Sequence, residues 1–120
     1  MPFDWREYLE LAKDLAVQRG VGYSSEAAKR SAVSRAYYSA FCLVRNYAEA
    51  KLGFQRTKGA KEHTDLRNYL QMKGKVRLVS CLVDLRRWRN ACDYDDEVPN
   101  LDDHVRNAID RAEKAIQECR

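Results

Sequence analysis

The sequence has little proline and glycine and no long apolar run. Only 2 prolines and 5 glycines occur among the 120 residues, so few positions break a helix or require a tight turn. No stretch approaches the roughly 20 consecutive apolar residues that a membrane-spanning helix needs. The N-terminal segment MPFDWREYLE lacks the basic and then apolar pattern of a secretory signal peptide. We therefore expect a cytoplasmic protein without a membrane segment.

Cysteine and histidine are also scarce, and their spacing matches none of the common metal-binding motifs. No two of the 4 cysteines form a CxxC pair, and the 2 histidines are far apart in the sequence. Nor does the chain contain a phosphate-cradling glycine loop. The sequence thus predicts no metal ion, no cofactor and no disulfide. The residues concerned are Cys42, Cys81, Cys92, Cys119, His63 and His104.

The composition favours a helical domain that is mildly basic. Hydrophobic residues make up 45% of the chain and charged residues 33%, which is above the usual quarter for charge and sufficient for one core. The formal net charge of +4 permits an anionic partner such as RNA or a nucleotide without requiring one.

Apolar residues recur at helical spacing in five segments that glycine, proline or polar residues separate. The second segment has the widest apolar stripe, so we expect its helix to be central. We predict an all-α fold over residues 1–120, an antiparallel bundle of four main helices and one short helix. The first expected helix begins at Asp4 and ends before Gly20, and the second runs from Ser24 or Ser25 to about Gly53. The third runs from about Lys61 to Met72. The fourth follows Gly74 and reaches at least Cys92, and the fifth follows Asn100 and ends at about Cys119.

The stretch RRWRNACDYDD, residues 86–96, places the densest cationic run beside the densest anionic run. Arg89 falls on the apolar face of the fourth helix, and Asp93 lies one turn further on. A guanidinium that faces a core needs an anion or several acceptors, so Arg89, Asn90 and Asp93 are candidates for a half-buried polar cluster. The alternative is a solvated helix end, in which Arg86 and Arg87 interact with the helix dipole.

Three motifs follow one another along the chain: RSAVSRAYYSAFCLVRNYAEAKLG (residues 30–53), then His63 at the start of the next helix, then LRRWRNACDYDD (residues 85–96). Together they resemble the HEPN superfamily, the helical "higher eukaryotes and prokaryotes nucleotide-binding" domains. The resemblance spans nearly the whole chain. It implies a bundle of four or five helices that forms a homodimer, with the end of the fourth helix lining a cleft at the dimer interface.

Ribonucleases of this superfamily carry an R-x(4–6)-H motif, whose Arg and His act on the RNA phosphodiester without a metal ion. Arg89 and Asn90 match the first two positions, but positions 94–96 read Tyr-Asp-Asp where the histidine belongs. His63 is the candidate replacement if the fold brings it near Arg89. The resemblance therefore implies that a catalytic site would use Arg89, Asn90, Asp93, Tyr94 and His63.

Three functions remain open from the sequence. The first is binding of RNA or a nucleotide, with Arg35, Arg86 and Arg89 on phosphate and Tyr38 or Tyr94 stacked on a base. The resemblance implies that such a protein works beside a nucleotidyltransferase in a toxin–antitoxin or defence pair. The second is a metal-independent endoribonuclease with a rearranged site. The third is a structural or interaction module, in which an internal ion pair fixes the helix packing or the dimer.

Overall fold

The described part of the chain forms five α-helices, as its apolar periodicity predicts. The computed structural model describes residues 2–18 and 22–120, and these residues include no β-strand. The all-α expectation is confirmed, whereas the expected end of the first helix at Gly20 lies outside the described residues. The helices are α1 (Arg6–Ala16), α2 (Ser25–Tyr47), α3 (Lys61–Met72), α4 (Val76–Tyr94) and α5 (Leu101–Glu118).

Helix α2 begins and ends at residues that the sequence marks. The Ser24 hydroxyl accepts the backbone N–H of Ala27 at 3.0 Å, which satisfies one of the free donors of the first turn. After Tyr47 the chain continues as a π-helical turn, Ala48–Leu52, and Gly53 ends it with a φ of 80°. That left-handed conformation costs glycine least. The prediction of a helix from Ser24 or Ser25 to about Gly53 is thus confirmed.

Helix α2 is the centre of the fold. It packs against α1, α4 and α5, while α3 packs against α4. Ala32, Ala36 and Ala40 repeat every four residues along α2 and are fully buried, so their small side chains let neighbouring helices approach closely. Residues of all five helices share one hydrophobic core. The prediction of a central second helix is confirmed.

Two further observations concern features discussed for the sequence. None of the helices in the described ranges has the length and apolar character that crossing a bilayer requires. The four cysteines are free thiols, and three of them, Cys42, Cys81 and Cys92, are buried. Burial raises the pKa of the Cys92 thiol to about 11, so this thiol stays protonated and acts as a small hydrophobic residue.

Candidate functional site

An open cleft of about 820 Å³ lies between the start of α3 and the C-terminal half of α4. We call it the α3–α4 cleft. The polar run of α4, which the sequence analysis singled out, forms one wall, and His63 of α3 and Tyr38 of α2 lie on the other sides. The cleft is lined by Tyr38, Gly59, Ala60, His63, Arg86, Arg87, Arg89, Asn90, Ala91, Tyr94 and Asp95.

Arg89 is the hub of the polar cluster in this cleft. Its Nε donates to Asp93 Oδ2 at 2.9 Å, and its Nη1 donates to Asn90 Oδ1 at 3.0 Å. Its Nη2 donates to the Tyr38 hydroxyl at 2.8 Å. The Arg89 side chain is only 14% exposed, so the expectation that it points inward and pairs with Asp93 is confirmed. These bonds use three of the five guanidinium N–H groups and leave two for other acceptors.

Aromatic rings surround the Arg89 guanidinium. Its carbon lies 5.2 Å from the ring centre of Tyr38, 5.7 Å from that of Tyr94 and 5.8 Å from that of Tyr37. A guanidinium at these distances is attracted to the face of an aromatic ring. Tyr94 itself is 72% exposed and lies at the rim of the cleft. The surrounding rings therefore hold the Arg89 guanidinium in place next to the exposed ring of Tyr94.

Arg86 differs from Arg89 because part of its guanidinium has no internal partner. Its Nε is buried, and no hydrogen-bond acceptor lies within reach of it among residues 2–18 and 22–120. Leaving a buried donor unsatisfied is costly. Helix α4 also runs on to Tyr94, so Arg86 lies more than two turns before its end. The helix dipole acts mainly within the last turn and thus does not account for this arginine.

Arg87 is the most exposed arginine of the cleft. Its Nη2 donates to Asp84 Oδ1 at 3.4 Å, and its side chain is 67% exposed. Such a surface ion pair contributes little to stability. Arg87 therefore adds positive charge at the mouth of the cleft while its guanidinium stays open to water.

His63 and Arg89 line the same cleft although 26 positions separate them in the sequence. The His63 ring stacks on Phe41 with a centroid distance of 4.2 Å, and its Nδ1 is hydrogen-bonded to the Tyr37 hydroxyl. Burial, together with the positive charges of Arg86, Arg89 and Arg67, lowers the pKa of His63 to about 4. His63 is thus a neutral imidazole at physiological pH.

The remaining candidate residues lie at different distances from the cleft. Arg35 is directed elsewhere, since its guanidinium lies over the ring of Tyr8 at 4.9 Å and over that of Tyr38 at 5.5 Å. Asp93 supports the cleft from behind, where Ser34 also donates to its Oδ2 at 3.4 Å. Asn90 and Tyr94 are lining residues. Tyr38 therefore links Arg35 to the cleft, and Asp93 reaches it only through Arg89.

Sequence reasoning missed the residue that holds the end of α4. Arg30 of α2 donates to the backbone carbonyl oxygens of Cys92, Asp95 and Asp96, at 3.2, 2.6 and 3.0 Å. The last carbonyl groups of a helix have no partner inside the helix, and here one guanidinium satisfies that of Cys92 together with the carbonyl groups of the two residues that follow α4. Arg30 opens the motif RSAVSRAYY, but only the fold reveals that it reaches a segment more than 60 positions away.

No cluster suitable for a metal ion, with three or more His, Cys, Asp or Glu side chains, occurs in the parts of the chain that the structure covers. The side chains that line the cleft supply guanidinium, imidazole, phenol, amide and carboxylate groups. Comparison with protein-family models, with curated protein sequences and with solved structures finds no match to this chain.

Proposed function

We propose that the α3–α4 cleft binds the phosphate groups of RNA or of a nucleotide. The observation that carries this proposal is Arg86, a lining residue of the cleft whose buried Nε has no acceptor among the described residues. Since the Nε itself is closed to solvent, a phosphate in the cleft forms its charge-assisted hydrogen bonds with the N–H groups of Arg86 that the cleft exposes. Arg87 and Arg89 line the same space, so a bound phosphate lies within a field of three guanidinium groups.

The polar contents of the cleft favour a nucleic acid over a bare anion. Tyr94 offers an exposed ring at the rim, and a base can stack on it without sequence-specific hydrogen bonds. Arg89 holds the Tyr38 hydroxyl through its oxygen, which leaves the phenolic proton free to donate toward a ligand. Proteins that bind single-stranded RNA combine phosphate-binding donors with exposed aromatic rings on which bases stack.

The proposal includes the HEPN-like arrangement that the sequence motifs imply, a four-helix antiparallel core with one further helix, and a homodimer. In support of the dimer, α4 presents exposed apolar side chains on its outer side, with Val76 58% and Val83 44% exposed. A second copy that covers this face brings two clefts together. Light scattering on the purified protein tests the pairing, and a mass of one chain would contradict it.

A binding experiment with a matched control tests the proposed function. A fluorescently labelled single-stranded RNA is titrated with the protein, and its anisotropy is followed over a series of salt concentrations. We expect affinity to fall steeply with salt, with each phosphate contact contributing about 0.7 to the slope of log K against log salt. Arg86→Gln removes one contact and lowers both affinity and slope.

Arg77→Gln is the control, because it removes the same charge from the same helix. Arg77 has an 85% exposed side chain and pairs with Glu118 at 3.3 Å, and it is not a lining residue of the cleft. If both variants weaken binding equally, the attraction is general and the assignment of the cleft is wrong. If the wild-type protein does not bind RNA or nucleotides at all, the proposed function is wrong.

A second candidate function is cleavage of RNA without a metal ion. It is supported by the placement of His63 beside Arg89 in one cleft, because the pair supplies an imidazole and a phosphate-binding guanidinium. Labelled RNA is incubated in EDTA with the wild type, His63→Ala and Arg89→Ala. Cleavage that persists in EDTA and disappears in both variants supports this function, and intact RNA with the wild type eliminates it.

The third candidate, a non-catalytic interaction module, rests on the Arg89–Asp93 ion pair at 2.9 Å. In that case the pair fixes the packing of α4 or the dimer, and the cleft stays empty. A nucleotidyltransferase partner in a toxin–antitoxin or defence pair is compatible both with RNA or nucleotide binding and with an interaction module. Co-purification of this chain with a nucleotidyltransferase expressed from a neighbouring gene tests that partnership.

A further inference from the structure

The Tyr37 hydroxyl is buried behind the cleft and faces a single polar group. Tyr37 is 1% exposed, and within residues 2–18 and 22–120 its hydroxyl has one hydrogen-bond partner, His63 Nδ1. Burial raises the pKa of Tyr37 well above its usual range, so the phenol keeps its proton. A buried O–H group needs an acceptor, and Nδ1 is the acceptor within reach.

The Tyr37 hydroxyl proton therefore determines which ring nitrogen of His63 carries the imidazole proton. A neutral imidazole carries a single N–H, on either Nδ1 or Nε2. If Nδ1 carried it, the Nδ1–H would donate to the phenol oxygen, and the phenolic proton of Tyr37 would be buried without an acceptor. If Nε2 carries it, Nδ1 accepts from Tyr37 and both groups are satisfied. The second arrangement avoids a buried unsatisfied donor, which is costly in a folded protein.

We propose that Tyr37 is a positioning residue that fixes His63 in its Nε2–H tautomer, so that His63 gives the α3–α4 cleft a hydrogen-bond donor. Tyr37 acts through His63 and contributes no atom to the lining of the cleft. The donor would point at the oxygens of a bound phosphate, and this part of the inference rests on the proposed function.

The tautomer also separates binding from catalysis. A general base must accept a proton through a free lone pair, but Nε2, the ring nitrogen that is not bonded to Tyr37, already carries a proton in this tautomer. To act as a base at Nε2, His63 would have to move its proton to Nδ1 and leave the Tyr37 hydroxyl without an acceptor. The arrangement thus favours a cleft that holds a phosphate over one that cleaves the chain.

The charged groups around His63 support a donor that remains neutral. Arg67 of α3 and Arg86 and Arg89 of α4 are the charged groups that act on it, and all three disfavour a second proton on the ring. From α2 the groups that face it are the aromatic rings of Tyr37, Tyr38 and Phe41. A bound phosphate adds the opposing negative charge and makes proton uptake by His63 easier.

Nuclear magnetic resonance of the ring nitrogens tests the tautomer directly in the free protein. Long-range ¹H–¹⁵N correlation spectra distinguish protonated from unprotonated imidazole nitrogens at neutral pH. The chain has only 2 histidines, so His104→Gln assigns the spectra, and His104 is the internal reference. We expect His63 to show an unprotonated Nδ1 and a protonated Nε2. A protonated Nδ1, or a mixture of the two tautomers, would overturn the inference.

Tyr37→Phe tests whether the phenol is the cause. Phenylalanine keeps the ring and removes the hydroxyl, so we expect His63 to become a mixture of tautomers while His104 is unchanged. If His63 stays entirely in the Nε2–H form, Tyr37 does not fix it. If the variant does not fold, the wild-type spectrum alone decides between the tautomers.

A phosphate titration separates this inference from the proposed function. Inorganic phosphate is added to the wild-type protein while both histidines are monitored. If His63 has the expected tautomer and its Nε2 resonance shifts with added phosphate until the change saturates, both the positioning role of Tyr37 and the proposed function are supported. The expected tautomer without any response to phosphate or RNA leaves the positioning role of Tyr37 intact and contradicts the proposed function. The opposite tautomer together with phosphate binding contradicts only the positioning role.

Discussion

The lowered pKa of His63 makes the stability of the fold depend on pH. The pKa of His63 is about 4 in the folded chain and 6.5 in the reference state. Between these values the unfolded chain binds a proton that the folded chain does not. Stability is therefore greatest above about pH 6.5 and decreases as the pH falls toward 4, because each acidification step favours the unfolded state.

The size of the effect follows from the two pKa values. At about pH 5 the linkage relation gives a loss of about 2 kcal/mol in the free energy of unfolding relative to pH 7. Because His63 is only partly buried, solvent screening reduces this loss to about 1 kcal/mol. A domain of this size has a free energy of unfolding of about 5–15 kcal/mol, so the change is measurable.

Urea denaturation followed by far-ultraviolet circular dichroism measures the loss. The wild type and His63→Gln are compared at about pH 7 and pH 5, because carboxyl groups also titrate in this range and only the difference isolates His63. Glutamine retains an acceptor for the Tyr37 hydroxyl but does not titrate. We expect the wild type to lose about 1 kcal/mol more than the variant. Equal losses in the two proteins would refute the conclusion that His63 is partly buried and neutral in the folded protein.

Three further substitutions test the framework of the site. Arg30→Ala removes three hydrogen bonds to the end of α4 and should lower the free energy of unfolding by about 2–3 kcal/mol in urea denaturation, whereas Arg77→Ala should change it by under about 0.5 kcal/mol. Arg89→Ala leaves Asp93, whose side chain is 27% exposed, partly unpaired and should cost about 2 kcal/mol in the same assay. Tyr94→Ala, at a 72% exposed position, removes a ring beside the Arg89 guanidinium, so it should lower the free energy of unfolding by no more than about 1 kcal/mol and weaken RNA binding by about 1–3 kcal/mol in anisotropy titrations.

Local signals were sufficient to predict the helices. Ser24 begins α2 and Gly53 ends its π-helical extension, as cap preferences predict. The apolar stripes identify the buried faces because residues that recur with the period of the helix lie on the same side of it. The inward direction of Arg89 was also predictable, since Leu85 and Cys92 mark its face of α4. The orientation of each helix relative to the others was not, because local sequence carries no such information.

The long-range contacts that support the cleft could not be predicted. The Tyr37–His63 and Arg30–α4 contacts join groups separated by 26 and by more than 60 positions. No periodicity relates such positions, since each contact depends on how the helices pack. Tyr37 in particular read as an ordinary core residue of the α2 stripe. Its burial confirms that reading, but its hydroxyl also bonds His63 Nδ1, a contact that hydrophobic patterning does not detect.

The packed helices also explain why the densest basic and acidic runs adjoin. In this segment Asp93 pairs with Arg89, while Asp95 and Asp96 are bound to Arg30 through their backbone carbonyl oxygens rather than their carboxylates. The acidic run thus ends α4 and orients Arg89, and it leaves the Nε of Arg86 without an acceptor in the described ranges. An acidic run that neutralised every arginine would leave no site for an anion. The difference between a satisfied Arg89 and an Arg86 whose Nε is unsatisfied therefore supports the proposal that this polar segment is a binding site rather than a helix end.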